Sequence, residues 1–91
     1  MQHANSKKAE IIFQTLAKVI KEERMKKEKS IRLLSYEYDI QMSLLSRLEN
    51  GKNEPKIASL WSVCEALDIN ISDLFKEVER RLPDDFSLMD N

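Results

Sequence analysis

The sequence is poor in residues that interrupt helices, cross-link chains or bind metals. Its 91 residues include one glycine, two prolines, one cysteine and one histidine. Cys64 has no second cysteine for an intramolecular disulfide, and Cys64 with His3 gives too few ligands for a structural zinc site. The sequence shows no secretory leader and no apolar run of membrane length. We therefore expect a cytoplasmic protein with no cofactor, no metal site and no membrane association.

Charge is nearly balanced overall but unevenly distributed along the chain. The composition is that of a folded globular domain, with 42% hydrophobic and 34% charged residues and a net charge of −1. Residues 1–53 hold eleven Lys or Arg and seven Asp or Glu, for a net charge of +4, whereas residues 54–91 hold four and nine, for −5. This asymmetry predicts a cationic face and an anionic back, as expected if only one side meets phosphate.

Three helices are predicted in the first half of the chain, over about 6–27, 31–38 and 41–50. Ser30 has the side chain to cap the second helix. Asp39 lies where the chain must turn sharply, and aspartate tolerates a left-handed backbone at modest cost. The residues expected to face inward are Ile12, Phe13, Leu16, Val19 and Ile20 in the first helix, Leu33, Leu34 and Tyr38 in the second, Ile40 at the turn, and Leu45 and Leu48 in the third.

Two more helices are predicted in the second half. Gly51 is expected to end the third helix in a left-handed conformation, and Pro55 to open the fourth at its first turn. Asn70 with Asp73 resembles a capping box for a fifth helix over about 71–81. No strand pattern is visible, so the sequence predicts an all-α fold. The apolar stripes comprise Ile57, Leu60, Val63, Cys64 and Leu67 in the fourth helix, and Leu74, Phe75 and Val78 in the fifth.

The joint spacing of residues from about 16 to 75 resembles the Cro/repressor-type (XRE-like) helix-turn-helix family. The resemblance implies a five-helix DNA-binding domain, here residues 1–82, followed by a short tail over 83–91. It is carried by Ile20, Arg24, Ser30, Leu34, Ile40, the run Leu45-Ser46-Arg47-Leu48-Glu49-Asn50-Gly51, Pro55, Leu60, Leu67, Ile69 and Leu74.

The same resemblance assigns roles to particular residues. It implies a recognition helix that contacts bases in the major groove and a following loop that contacts phosphates. Arg24 and Glu49 match an ion pair that joins the first helix to the third. The implied base contacts are Gln41, Met42, Ser43, Ser46 and Arg47, and the implied phosphate contacts are Asn50, Lys52, Asn53 and Lys56. Alternatively, Arg47 is a solvated helix arginine, Met42 fills a partly buried space, and Ser46 bonds its own helix backbone.

Large apolar side chains suggest a subunit interface. Trp61, Phe75, Val78 and Leu82 are candidate anchors of a homodimer that would place two half-sites about 34 Å apart. Alternatively, Trp61 and Phe75 close the core of the monomer. The tail residues Phe86, Leu88 and Met89 are candidates to pack across the same surface.

The leading functional prediction is a sequence-specific transcriptional regulator that binds double-stranded DNA, with no small-molecule ligand indicated. A restriction-modification controller, a phage or plasmid repressor and an antitoxin all fit. The alternative is a protein-interaction adaptor or antitoxin that keeps the fold and binds its partner through the fifth helix. Catalysis has little support, because a nucleophilic triad would need His3 or the apolar-stripe residue Cys64. We therefore predict that the protein is not an enzyme.

Overall fold

The computed structural model describes residues 7–89, which form five helices and, within that range, no strand. The all-α prediction is confirmed. His3, residue 6 at the predicted start of the first helix, and residues 90–91 lie outside the described part. The helices are α1 (Lys7–Lys26), α2 (Ile31–Tyr38), α3 (Met42–Asn50), α4 (Ile57–Ala66) and α5 (Ile71–Arg81). Within residues 7–89, no helix combines the length and apolar character needed to cross a bilayer.

A single hydrophobic core joins all five helices. α1 packs against both α3 and α5, α2 packs against α3, and α4 packs against α3 and α5. The most deeply buried side chains come from every helix, because each helix contributes one apolar stripe to the centre. They include Ile20, Leu34, Leu45, Leu60 and Leu74, all exposed by 1% or less.

α2 is capped as predicted, but its buried face is narrower than the sequence indicated. The Ser30 hydroxyl accepts the N–H of Leu33, and Leu34 is fully buried. Leu33 and Tyr38 are 41% and 47% exposed, so their predicted inward placement is wrong. α2 is only eight residues long and packs mainly against α3, so it buries one narrow stripe. The Tyr38 ring lies outside that stripe, with its centroid 5.4 Å from the Lys29 ammonium.

The turn between α2 and α3 has the predicted geometry. Asp39 ends α2 in the left-handed region, with φ of 56°, and the Ile40 N–H donates to the Ser35 carbonyl at 3.1 Å. Ile40 is half-buried against the core, and the Ser35 hydroxyl donates to its carbonyl. α3 begins at Met42 with Gln41 at its N-cap, and Gly51 ends it at φ of 70°, as predicted.

Three predictions about the second half of the chain are wrong. α4 begins at Ile57 with Lys56 as its N-cap, so Pro55 precedes the helix instead of opening it, and Ile57 is 65% exposed. Asn70 does occupy the N-cap of α5, yet its side chain caps no backbone N–H. The Asn70 amide instead donates to the Asp73 carboxylate at 3.4 Å.

The segment after α5 returns to the beginning of α1. α5 ends at Arg81, ahead of Pro83, as expected for a residue that disfavours helix before it. Phe86 and Leu88 are half-buried, and the Lys8 ammonium donates to the Ser87 carbonyl at 2.8 Å. Met89 remains 78% exposed.

Candidate nucleic-acid interface

One face of α3 is solvent-exposed along the whole helix and is polar except for Met42. Its residues recur at positions i, i+1, i+4, i+5 and i+8, which places them within one arc of about 140° around the helix axis. Leu45 and Leu48 lie on the opposite side and are buried in the core. The exposed arc consists of Met42, Ser43, Ser46, Arg47 and Asn50, with Gln41 exposed just before it.

The surroundings of Met42 and Ser46 bear on the alternative interpretations of these residues. Met42 is 45% exposed, so about half of its side chain is open to solvent. The Ser46 hydroxyl forms no hydrogen bond within residues 7–89, so it is not held by its own helix backbone. The N-terminus of α3 has no side-chain cap, since Gln41 does not cap it. The Met42 and Ser43 side chains and the first turn of this helix are therefore open to a ligand.

An ion pair fixes the buried side of α3 to α1. The Arg24 guanidinium donates two hydrogen bonds to the Glu49 carboxylate, at 2.6 and 2.9 Å, and a third at 2.6 Å to the Lys29 carbonyl. Both side chains are largely shielded from water, with 11% and 7% exposure. Hydrogen bonding to Glu49 raises the pKa of Arg24, against the opposing effect of burial. The structure thus brings together the two residues expected to pair.

Gly51 holds the other end of α3 close to α1. A Cβ atom at this position would lie 3.1 Å from the Cα of Gln14, 3.1 Å from the Cβ of Ala17 and 3.3 Å from the Phe13 carbonyl oxygen. The residue also has a positive φ, so glycine satisfies both the backbone conformation and the close approach. Together with the ion pair, this contact makes α3 a rigid support for its exposed side chains.

α3 and the loop that follows it carry cations that form no ion pair within residues 7–89. Arg47, Lys52 and Lys56 are exposed, and among residues 7–89 none of them forms an ion pair. Arg47, Asn53 and Lys56 border one open groove of about 390 Å³ between α3 and the start of α4. The structure therefore places Arg47 beside two of the predicted phosphate contacts, with Lys52 and Asn50 exposed nearby in the chain.

The arginines of α5 differ, because they are already neutralised. Arg81 binds Glu22 of α1 at 2.6 Å and Glu77 at 2.7 Å, and Arg80 binds Glu77 at 2.6 Å. The hydrogen bonds from Arg80 and Arg81 lower the pKa of Glu77 from 4.5 to about 2, and the bond from Arg81 lowers the pKa of Glu22. Both arginines of α5 are thus neutralised by carboxylates, whereas Arg47 of α3 forms no ion pair within residues 7–89.

The residues predicted as dimer anchors are not equivalent. Trp61 is 52% exposed on α4. Val78 is 2% exposed within the monomer, so its assignment to a subunit interface is wrong: it faces the core from the inner stripe of α5. Phe75 and Leu82 are half-buried and pack against the same core. The apolar side of α5 is thereby mostly used within the monomer.

Two exposed side chains were missed by the sequence analysis. Ile57 lies one helical turn before Trp61 on the same side of α4. The signal was the composition of α4, in which Glu65 is the one charged residue out of ten. Tyr36, 86% exposed on α2, gave no signal, because its position on an eight-residue helix depends on packing.

Of the two residues that a nucleophilic triad would need, His3 lies outside residues 7–89. Cys64 is buried, and burial raises the pKa of its thiol to about 11, so the thiol is protonated at neutral pH. Within the described residues, no group of three or more His, Cys, Asp or Glu side chains could hold a metal ion.

Comparison with known proteins identifies the family. No curated protein and no solved structure gives a significant match to the chain. The family model described as helix-turn-helix matches residues 20–74, which run from the middle of α1 to the first half of α5 and include both α2 and α3. This match covers more than half of the chain, and the five-helix fold agrees with it. The chain belongs to the Cro/C1-type helix-turn-helix family, whose members are DNA-binding regulators.

Proposed function

We propose that this protein is a sequence-specific transcriptional regulator that binds a palindromic operator as a homodimer, with α3 in the major groove. The observation that carries this proposal is the continuous solvent-exposed face of α3, mostly polar, on a helix that Leu45, Leu48 and the Arg24–Glu49 pair hold against the core. A rigidly supported helix with a free outer face is what major-groove reading requires.

The chemistry of that face suits base edges. Arg47 can donate two hydrogen bonds to guanine, a contact that contributes about 1–3 kcal/mol of discrimination. Met42 offers apolar contact to a thymine methyl, while Gln41, Ser43 and Ser46 can donate or accept hydrogen bonds. The mixture of one cation, one apolar group and several neutral polar groups is more selective than a purely cationic helix would be.

The phosphate backbone would be held by the end of α3 and the loop that follows. Lys52 and Lys56 have no carboxylate to neutralise them within residues 7–89, so phosphates can replace bulk counterions around them. Asn50 and Asn53 supply neutral donors that fix the register of the helix on the duplex. Most of the acidic residues 57–91, which hold three Lys or Arg and eight Asp or Glu for a net charge of −5, would then face away from DNA.

A selection experiment tests sequence-specific binding. The full chain is incubated with a pool of random duplexes at several salt concentrations, and bound sequences are read out. We expect an enriched inverted repeat whose half-site centres lie about one helical turn apart, and affinity that falls steeply with salt. Recovery of no common sequence, even at low salt, would contradict the proposal.

A pair of arginine variants tests the assigned contact. Arg47→Ala should weaken binding to the selected operator by roughly tenfold or more and relax preference at one base pair. Arg80→Ala removes the same charge from a residue that is paired with Glu77 on α5, so operator affinity should be nearly unchanged. Equal losses in the two variants would mean that Arg47 acts only through net charge. An adaptor without DNA-reading activity predicts no operator at all.

A further inference from the structure

An apolar groove lies where the first half of α1, the beginning of α4, α5 and the tail meet. Its volume of about 290 Å³ is close to the lower end of the range for small-molecule sites, about 300–1,000 Å³. Among the described residues that line it, Glu54 is charged and all the others are apolar. Its buried lining consists of Ala9, Phe13, Leu16 and Leu60, and its more exposed lining includes Ile57 and Leu88. The groove is therefore open to water above an apolar floor.

Most of this groove comes from parts of the chain outside the helix-turn-helix match over residues 20–74. The lining residues outside the match are Ala9, Ile12, Phe13, Leu16, Phe75 and Leu88. The loop residues Glu54 and Pro55 lie within the match. The groove thus combines the helix-turn-helix core with segments on both sides of it, which is why no local sequence pattern predicted it.

The charge at this groove has one sign. Glu54 is exposed and forms no ion pair with any residue in the described range 7–89. The neighbouring cation Lys56 lines the separate groove beside α3 and does not line this one. A ligand with one positive charge would give Glu54 a partner while its apolar part fills the groove. Phe13 and Phe75 favour an aromatic apolar part, because aromatic rings pack well edge to face or offset.

We propose that the groove binds a small arylalkyl ammonium ligand, with its ring against Phe13 and Phe75 and its ammonium paired with the Glu54 carboxylate. An apolar recess with a single polar group that fixes orientation is the usual composition of small-molecule sites. A neutral or anionic ligand of the same shape would leave Glu54 unpaired or repel it, so this carboxylate would select among ligands by charge.

Glu54 and Pro55 also line the groove beside α3 that Arg47, Asn53 and Lys56 border, so these two residues form a wall common to both grooves. Glu54 is the one acidic residue of the loop over residues 51–56, and its charge opposes the approach of a phosphate. An ammonium paired with Glu54 would cancel that repulsion.

The ligand and DNA should therefore each raise the affinity of the protein for the other, since such coupling is reciprocal. This regulatory step rests on the proposed function, whereas binding of the ligand to the free protein does not.

A titration of the free, full-length chain tests the site without DNA. The probe is 2-phenylethylammonium, added up to about 10 mM at fixed protein concentration, and backbone amide signals are followed by nuclear magnetic resonance. We expect saturable shifts at Phe13, Glu54 and Phe75 with a dissociation constant of about 1 mM, typical of a ligand of about nine non-hydrogen atoms. The neutral 2-phenylethanol should bind roughly threefold more weakly, and the anionic 3-phenylpropionate more weakly still.

Two pairs of variants give matched controls. Glu54→Gln should abolish the preference for the ammonium over the alcohol, whereas Glu65→Gln, at an exposed carboxylate of α4 that does not line the groove, should preserve it. Leu88→Ser should weaken binding of all three probes severalfold, because the tail forms part of the groove. Met89→Ser, in the same tail at a residue that is 78% exposed and outside the lining, should have no effect. Circular dichroism would verify that the variants keep the helical content of the wild-type chain.

The regulatory step is tested with the selected operator. Saturating 2-phenylethylammonium should raise operator affinity roughly twofold to fivefold, the effect expected of one exposed ion pair. Glu54→Gln should lose this response, and ethylammonium at the same concentration, which has no ring, should not produce it.

The outcomes separate the ligand site from DNA binding. Absence of shifts at the groove, or equal binding of the three probes to the wild-type protein, would overturn the ligand assignment. Shifts at the groove that depend on protein concentration without probe would show that a second copy occupies it, and would also overturn the assignment. If the probe bound with the expected preference but no operator were selected, the ligand site would stand and the proposed DNA binding would fail. An operator whose affinity ignores the bound probe would overturn the regulatory step alone.

Discussion

Replacing Glu49 with alanine is expected to be among the most damaging single changes to this fold outside the apolar core. Arg24, whose side chain is 11% exposed in the wild-type structure, then keeps one acceptor for its guanidinium, the Lys29 carbonyl at 2.6 Å. Two charge-assisted hydrogen bonds, at 2.6 and 2.9 Å, are lost. An uncompensated charge then remains in a poorly hydrated site, which is the main cost of breaking such a pair.

The magnitude follows from how well the pair is shielded. Removal of one partner of a buried pair costs about 3–5 kcal/mol, whereas exposed pairs contribute less than about 1 kcal/mol. Arg24 keeps one acceptor and some access to water, so we expect Glu49→Ala to lower the free energy of unfolding by about 3 kcal/mol. For a chain of this length that corresponds to a fall of about 10 °C or more in the unfolding midpoint.

Urea unfolding followed by far-ultraviolet circular dichroism would measure the effect, with Glu23→Ala as the control. Glu23 also forms an ion pair, with Lys26 of the same helix at 2.9 Å, but the lysine side chain is 71% exposed. Both variants exchange helical glutamate for alanine, so the difference in helix propensity cancels. We expect the control to change the free energy of unfolding by less than about 1 kcal/mol.

A double-mutant cycle would assign the loss to the pair itself. Arg24→Ala, Glu49→Ala and the combined variant should show a coupling energy of about 1–3 kcal/mol, since the second change removes a charge that the first left unpaired. Similar losses for Glu49→Ala and Glu23→Ala, or a coupling energy near zero, would refute the argument that shielding gives this pair its strength.

Two further predictions concern the ends of α3 and α5. Gly51→Ala should lower the free energy of unfolding by about 2 kcal/mol or more, because the new Cβ would meet backbone atoms of α1 and the residue has a positive φ. As a control, Asp39→Gly, at φ of 56°, should change the free energy of unfolding by less than about 1 kcal/mol. Equal effects of the two substitutions in urea unfolding would contradict the steric argument. Because Glu77 has a lowered pKa of about 2, its ion pairs with Arg80 and Arg81 stabilise the fold above about pH 4.5 and lose that effect as pH falls toward 2. The stability difference between wild-type protein and Glu77→Gln should therefore shrink over that interval, and a constant difference would show that Glu77 contributes nothing through its charge.

Sequence patterns predicted the local structure well at positions where the backbone conformation or a helix end favours a particular residue type. Ser30 caps α2, and Asp39 and Gly51 adopt left-handed conformations at the ends of α2 and α3, as predicted. The Asn70–Asp73 pattern was misleading, because the Asn70 side chain donates to the Asp73 carboxylate and caps no backbone N–H. The residue types near helix ends thus predicted where the helices end more reliably than which hydrogen bonds cap the backbone groups there.

Burial was harder to predict for short helices. Leu33, Tyr38 and Ile57 are apolar residues at helical spacing, and all three are substantially exposed. Val78, in contrast, was expected at an interface and is buried within the monomer. Apolar periodicity indicates which residues can be buried. Which of these residues are actually buried depends on the neighbouring helices and on the angles at which the helices cross.

The sequence by itself determined the five helices and the left-handed turns at Asp39 and Gly51, because these depend on short-range spacing and on residue types with few alternatives. The pairing of Arg24 with Glu49, 25 residues apart, was implied only by the family resemblance. Only the tertiary structure decided which charges remain unpaired and which apolar side chains remain uncovered. Arg81 is neutralised by Glu22, 59 residues away in the chain, whereas Arg47 has no such partner within residues 7–89. Contacts between residues distant in sequence depend on how the helices pack against one another, and no local pattern encodes that packing.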